Sequence, residues 1–481
     1  MDTYDLVIRN GLVVDGSGGT PFQGDVAVKD GRIAVVGAID GTGKEEIDAK
    51  GKLVTPGFVD IHTHYDGQAI WSNQLNPSSS HGVTTVVVGN CGISLSPTKM
   101  NTRPIPPLDL LGDESWWVFG SFAEYAERLA RKPAPVNTVA LIGHMSLRVE
   151  AMGGDVMRPA SDAEGARMQD RLAEALDQGA SGFSTGLYYP ANHEAPTAEV
   201  VAVAEALRDR GGLYVTHMRD EGAGVLASIE ETLHIGRAVG APVVISHHKC
   251  ANPENYGRSP STLAAIDAGA ANQRVAFDCY PYAAGSTVLM PEKVREDVPA
   301  RITWSVPHPE MTGRWLADIA TEWGVTQVEA ARKLLPAGAV LFQMDEADVR
   351  RILAHPRGMV GSDGLPHDAF PHPRLWGTFA RVLGHYARDE QLFSLETAVH
   401  KMTGRTADVF GLIDRGMIRE NAYADMVLFD PATVRDTATY DDPQRPADGI
   451  LRTWVNGRPA YRHSHGASGE SAGRLLTRGR K

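Results

Sequence analysis

Gly57-Phe58-Val59-Asp60-Ile61-His62-Thr63-His64 is the stretch that decides the fold: an apolar run ending in two histidines one residue apart. Side chains along a strand repeat every two residues, so both imidazoles share a face. Two neutral imidazoles on one side suit a first-row transition metal, zinc first. Similar apolar runs recur at 84–88, 139–143, 182–185, 213–217, 243–247, 274–278 and 359–363, making eight candidate strands with 58–64. Several end in metal-binding residue types. His217 and His247 close two runs, Asp363 closes the last, and Cys91 follows Val88-Gly89-Asn90. His248 competes with His247; His247 is preferred because it continues the strand register and lies one strand–helix unit after His217.

Where the connections between these runs read clearly, they are helical. Ser161-Asp162-Ala163-Glu164 is a capping box, followed by Met168, Leu172 and Leu176 at i+4 spacing and by Gly179 as a stop. Val200, Val203, Ala204 and Leu207 form a second apolar face, and Val225, Ile229 and Leu233 begin a third that Gly240 closes. Continuous apolar strands are what a parallel sheet covered on both faces requires. Eight strand–helix units indicate an α/β fold of the (β/α)8 TIM-barrel type, with a doubly wound sheet as runner-up. In a barrel the C-terminal strand ends converge on one mouth, which gathers His62, His64, Cys91, His217, His247 and Asp363.

Outside the barrel the pattern changes. The segments 4–18 and 24–37 alternate apolar and polar residues, with Lys29-Asp30-Gly31-Arg32 as a hairpin signal. A matching pattern returns at 424–431 and 451–461. Neither end alone has enough strands for a stable sheet, so both ends are expected to pair into one small β-sandwich domain. The expected boundaries are 1–55 and 415–465 for that domain and 56–414 for the barrel. An inserted subdomain or lid is expected at 287–355 between strands seven and eight. The last residues, 466–481, read as a flexible or surface-lying tail.

The chain has 481 residues, 42% hydrophobic and 22% charged, with a formal net charge of −12. This is globular composition. The acidic balance argues against a nucleic-acid partner, which needs a basic face. No apolar stretch approaches the roughly 20 residues that span a bilayer. Three cysteines, Cys91, Cys250 and Cys279, cannot make a disulfide framework, and Cys250 and Cys279 read as core thiols. With no signal-peptide pattern at the start, the expected location is cytoplasmic.

Taken together, G-F-V-D-I-H-T-H, the strand-ending histidines, the late Ser-Asp-Gly and the split β-domain resemble the amidohydrolase superfamily. Within it, H-T-H-Y-D-G-Q (62–68), G-N-C-G (89–92), S-T-G-L-Y-Y (184–189), T-H-M-R-D-E (216–221), S-H-H-K (246–249), D-C-Y-P-Y (278–282), G-S-D-G (361–364) and H-P-R (372–374) are similar to the N-acyl-D-amino-acid deacylases. Many binuclear relatives bridge their metals with a carboxylated lysine ending strand four. Here that strand reads Ser181-Gly182-Phe183-Ser184-Thr185-Gly186, without a lysine. Cys91 is the natural substitute, because a thiolate is a strong zinc ligand.

The resemblance implies a tight zinc held by Cys91, His217 and His247, with His62, His64 and Asp363 forming a second, weaker position. It also implies that Lys249, Tyr280 and Arg374 hold the substrate carboxylate, with Tyr189 and Ser286 on the substrate side. A guanidinium grips a carboxylate through two parallel hydrogen bonds, and an ammonium and a phenol complete the grip. Arg219 is a further candidate for the acid or the lid, and His144, ending strand three, reads as a packing histidine or one that supports a ligand. The implied reaction is zinc-dependent hydrolysis of N-acyl-D-amino acids, a small-molecule substrate class, with Asp363 carrying the proton. The alternatives are a cyclic amide or imide hydrolase of the same superfamily and a non-catalytic scaffold.

Overall fold

A computed structural model describes residues 3–72, 75–366 and 368–479. Its centre is a parallel barrel. The strands are Phe58–Asp60, Val83–Val88, Asn137–Ala140 with Ile142–Gly143, Gly182–Gly186, Leu213–His217, Val243–Ile245, Val275–Cys279 and Gly358–Val360. Each pairs in parallel with the next, from Phe58↔Val83 round to Phe277↔Gly358. The ring closes through the parallel bridge Thr63↔Gly364, with His64 N–H donating to Gly364 O at 3.1 Å and Asp363 N–H to His62 O at 2.8 Å.

The strands are buried along their whole length because helices cover them outside and side chains fill them inside. Val59, Val87, Leu141, Val215, Val244 and Met359 pack in the interior with Phe410, the last residue of the helix Gly404–Phe410, and with Leu412 just past it. The barrel is therefore a packed core, and its open chemistry lies at the C-terminal strand ends. Among the covering helices, Asp162–Asp177 starts on the capping box of Ser161 and Glu164, and Val225–Val239 stops at Gly240 with φ +69°.

Both chain ends build the second layer. Strands Thr3–Val13, Phe22–Lys29, Arg32–Gly37, Thr42–Asp48 and Leu53–Pro56 join Met426–Phe429, Ile450–Val455, Arg458–Arg462 and Gly466–Ala467. They form one continuous nine-stranded sheet curled around its own core, including Ile8, Val26, Met426 and Trp454, rather than two separate sheets. Asp30 and Gly31 both have positive φ, at 52° and 75°, the geometry of a two-residue hairpin turn.

Several sequence expectations need correction. Regular strand geometry ends at Asp60 and at Ile245, so His62, His64 and His247 sit on loops just past their strands. His247 has φ +34°, so strand register is not what aims it. His144 opens the helix His144–Met152 and does not end a strand. The insert begins at Gly285, with the three-stranded sheet Gly285–Val288, Ala300–Ser305 and Ala337–Leu341 over its own core of Ile302, Leu316 and Leu334. It stops before Glu346–Ala354, which packs on the seventh and eighth barrel strands as an ordinary barrel helix. Within the described part of the expected tail, Leu475–Leu476 pairs in parallel with Thr138 and Val139. Two leucines that would otherwise be exposed cover the start of the third strand, and Leu476 reaches the barrel core.

Candidate metal centre

The end of strand five and the loops past strands one, two, six and eight bring the six expected ligands together. Cys91 Sγ lies 3.2 Å from His62 Nε2 and 3.5 Å from His247 Nε2. Asp363 Oδ1 lies 3.2 Å from His64 Nε2 and 3.5 Å from His62 Nε2. The rings of His217 and His247 meet edge to face at 4.2 Å. Three overlapping sets have their ligand atoms within 4.8 Å of one another: His62–Cys91–His247, His62–His64–Asp363 and His217–Glu221–His247. Cys91 and His247 thus share their closest set with His62, and His217 joins His247 through Glu221.

Backbone strain marks the same place. Cys91, His247 and Asp363 have φ of 53°, 34° and 49°, a left-handed region that residues other than glycine enter at a cost. Such turns redirect each side chain from its strand toward the centre. Gly92 makes the next turn tight enough that a Cβ there would come within 2.7 Å of Gly186 N. His248 turns the other way, onto Thr262 Oγ1 at 2.9 Å.

The donor chemistry fits a metal. Among the described residues, Nδ1 of buried His217 and Nδ1 of His64 have no hydrogen-bond partner, and His217 Nε2 has only Glu221 Oε2 at 3.5 Å. Buried polar atoms without partners are costly, and a cation removes that cost. Burial opposes ionisation of the Cys91 thiol, but the neighbouring His62, His247 and His217 hold its pKa well below the ordinary thiol value. Imidazoles and a thiolate are zinc's preferred ligands.

Two carboxylates that the sequence reading did not assign support the ligands. Glu221 Oε1 accepts from Lys249 Nζ at 2.6 Å and lies 2.9 Å from His247 Nδ1. Asp278 Oδ2 lies 3.2 Å from His62 Nδ1, and its Oδ1 accepts from His247 N–H at 2.9 Å. Carboxylates behind ligating histidines fix the ring and its tautomer. Their sequence signals were position alone: Glu221 lies four residues after His217, and Asp278 sits near the end of strand seven.

The remaining expected residues separate into groups. Arg374 is buried beside the expected metal ligands, with Nη2 2.9 Å from Asp363 Oδ2 and donating to Ser286 O at 3.1 Å. Its guanidinium lies 4.5 Å from the Tyr280 ring centroid, and Nη1 has no partner among the described residues. Burial works against ionising Asp363, and Arg374 together with His62, His64 and His247 outweighs it, holding the carboxyl well below its usual range. Tyr189 OH lies 3.1 Å from Thr287 Oγ1, and Ser286 Oγ lies 3.5 Å from Asp368. Lys249 faces Glu221 and lies 2.7 Å from His247 Nδ1. Arg219 binds Glu231 and the carbonyls of His193 and Ala195, away from the pocket. Cys250 and Cys279 are buried and unpaired, with pKa values pushed up by burial to about 11 and about 12.

The pocket bounded by His64, Cys91, Tyr189, His217, Tyr280 and Ser286 encloses only about 30 Å³ of free space, because insert strand Gly285–Val288 closes over it. That is room for little more than a water molecule.

Comparison with known proteins shows the family. A family model described as the amidohydrolase family matches residues 45–304 and 326–461. The chain is 48% identical over 476 residues to D-aminoacylase of Alcaligenes xylosoxydans xylosoxydans, covering 99% of this chain and 98% of the relative. It is 48% identical over 460 residues to N-acyl-D-aspartate deacylase of the same organism, covering 95% and 92%. A crystal structure of D-aminoacylase superposes with a TM-score of 0.96 at 48% identity, covering 99% of this chain and 100% of that one. N-acyl-D-glutamate deacylase from Bordetella bronchiseptica, solved with zinc and a phosphonate mimic of the tetrahedral intermediate, superposes with a TM-score of 0.95 at 44% identity, covering 99% and 100%.

Proposed function

Because the chain belongs to the amidohydrolase family, we propose that it is a zinc enzyme hydrolysing the amide bond of N-acyl-D-amino acids. The products are a carboxylate and a free D-amino acid. The observation that carries this reading is the juxtaposition of two features: a buried thiol–imidazole cluster with unpartnered ring nitrogens, and a buried guanidinium whose Nη1 is free beside it. One binds a metal. The other binds an anion a short distance away, and an N-acyl-amino acid carries its carboxylate one carbon from the scissile nitrogen.

Cys91, His217 and His247 hold the tight zinc, with His62, His64 and Asp363 offering a weaker second position. When bound, zinc polarises the amide carbonyl and makes hydroxide accessible near neutral pH. This chain's residues do the rest. Arg374 receives the substrate carboxylate on Nη1 while Nη2 stays on Asp363. Tyr280 supports the guanidinium face, and Lys249, through Glu221 and His247, lines the same side. Tyr189 and Ser286 bound the substrate. Asp363, kept ionised by Arg374, accepts the proton of the attacking water and delivers it to the leaving nitrogen.

The cyclic-amide alternative lacks support, since strand four, Gly182–Gly186, carries no lysine and the pocket presents a carboxylate binder. A scaffold has no use for a complete ligand set with strained backbone at three of its members. We also place the protein in the cytoplasm, on the strength of three buried, unpaired thiols. No helix among the described residues is long and apolar enough to cross a membrane. The test is removal and return of zinc. Hydrolysis of an N-acetyl-D-amino acid disappears on chelation and returns with zinc, while a cyclic imide is not opened. Preferential opening of the cyclic imide would reverse the assignment.

A further inference from the structure

A cleft of about 520 Å³ lies beside the metal pocket. Its volume falls in the roughly 300–1,000 Å³ range of small-molecule sites. Three of its lining residues are large hydrophobics left open to solvent: Ile105 at 38%, Met157 at 61% and Leu335 at 38% exposure. Val288 and Ala337 of the insert form another part of its wall; the charged residues at its edge are the acids Asp109 and Glu292, and among the described residues no lysine or arginine lines it. An apolar concavity without a cation does not suit a carboxylate-bearing side chain. It suits a hydrocarbon.

Its position gives it a substrate. Ile105, Met157 and Pro190 lie on the connections after barrel strands two, three and four, whereas Lys249, Tyr280 and Arg374 follow strands six, seven and eight. The metal ligands lie between. With the scissile carbon over the metal and its carboxylate on Arg374, a substrate turns its acyl group toward the other side. Tyr189 is shared by the metal pocket and the cleft, held by Thr287 at 3.1 Å. On the far side of that ring lies the cleft. Building on the proposed hydrolase activity, we propose that this cleft receives the hydrocarbon tail of the acyl group, making medium-chain N-acyl-D-amino acids better substrates than N-acetyl ones.

The expected gain follows from burial. Each methylene removed from water contributes about fourfold in kcat/KM, equivalent to about 0.8 kcal/mol. Allowing for incomplete burial, passing from acetyl to hexanoyl on one D-amino acid raises kcat/KM at least about tenfold, by the same scale. Met157→Arg and, separately, Leu335→Arg place a charge in the cleft at solvent-exposed positions that tolerate it. Both variants are expected to lose most of the chain-length gain while keeping N-acetyl hydrolysis within about twofold, as surface substitutions leave the centre intact.

A second readout needs no turnover. Octanoate binding to the zinc-loaded protein, followed by calorimetry, shows a negative heat-capacity change that Met157→Arg reduces. If N-acetyl substrates are hydrolysed but kcat/KM is flat or falls with chain length, the cleft assignment is overturned and the hydrolase reading stands. If no N-acyl substrate is hydrolysed yet octanoate binds in a Met157-dependent way, the cleft stands and the hydrolase reading fails. If Met157→Arg instead breaks an oligomer and leaves the chain-length profile unchanged, the cleft is an interface between copies and the acyl assignment is overturned.

Discussion

Truncating Arg374 separates the two roles proposed for its guanidinium. Its Nη2 pairs with Asp363 at 2.9 Å and donates to the Ser286 carbonyl at 3.1 Å, leaving Nη1 free for substrate. Arg374→Ala removes the anchor and strands a buried carboxylate. Cutting one partner of a desolvated charge pair costs about 2–5 kcal/mol, and at about 1.4 kcal/mol per decade that is roughly 30- to 5,000-fold in kcat/KM. Part of the loss falls on kcat, because a misplaced carboxylate also misplaces the amide. Arg374→Lys keeps the charge but cannot hold Asp363, Ser286 O and the substrate at once, so it is also impaired.

Steady-state kinetics on an N-acetyl-D-amino acid and its primary carboxamide distinguish the two roles. Wild type is expected to prefer the acid strongly. For Arg374→Ala that preference collapses, because the carboxamide never used the anchor. Equal hydrolysis of both compounds by wild type would refute the anchor. Equal losses on both in the variant would show that Arg374 acts through Asp363 alone.

Cys91→Ala is expected to lose most of the tight zinc and nearly all activity, whereas Cys250→Ala and Cys279→Ala keep both; metal analysis showing full zinc in Cys91→Ala would contradict the assignment. Asp363→Asn keeps the shape but not the base, so kcat drops on the order of 10²–10⁴-fold while tight zinc stays bound; turnover near wild type would mean another group moves the proton. Glu199 lies among Arg148, His144 and the Ala160 amide; burial opposes its ionisation, but these partners depress its pKa from 4.5 to about 2. A depressed carboxylate stabilises above its unfolded pKa, so Glu199→Gln costs about 3 kcal/mol at pH 7. That difference shrinks as pH falls from about 4.5 toward 2. Urea unfolding of both proteins across this range checks it, and a gap independent of pH would disprove the charge origin.

What could be read from the sequence was local. The capping box at Ser161, the Asp30-Gly31 turn and the buried apolar strands each depend on neighbours within a few residues. The six metal-ligand candidates were legible because a barrel carries every strand end to one mouth. Residues whose meaning depends on distant partners were not legible. Glu221 and Asp278 look like ordinary acids until His247 and His62 fold against them. Lys249 was expected on substrate, yet its ammonium is bonded to Glu221. His247 was preferred for its register, but a left-handed turn aims it. The docking of Leu475–Leu476 on strand three has no local signature, because it fills a gap left by chain more than 300 residues away.

The most direct test of the central claim is the digestion of a racemic N-acetyl-amino acid by the zinc-loaded protein, followed by chiral analysis of the released amino acid. Consumption is expected to stop at half of the racemate, with only the D enantiomer freed and no release after zinc is removed. Release of the L enantiomer, conversion of the whole racemate, or undiminished release without zinc would contradict the account.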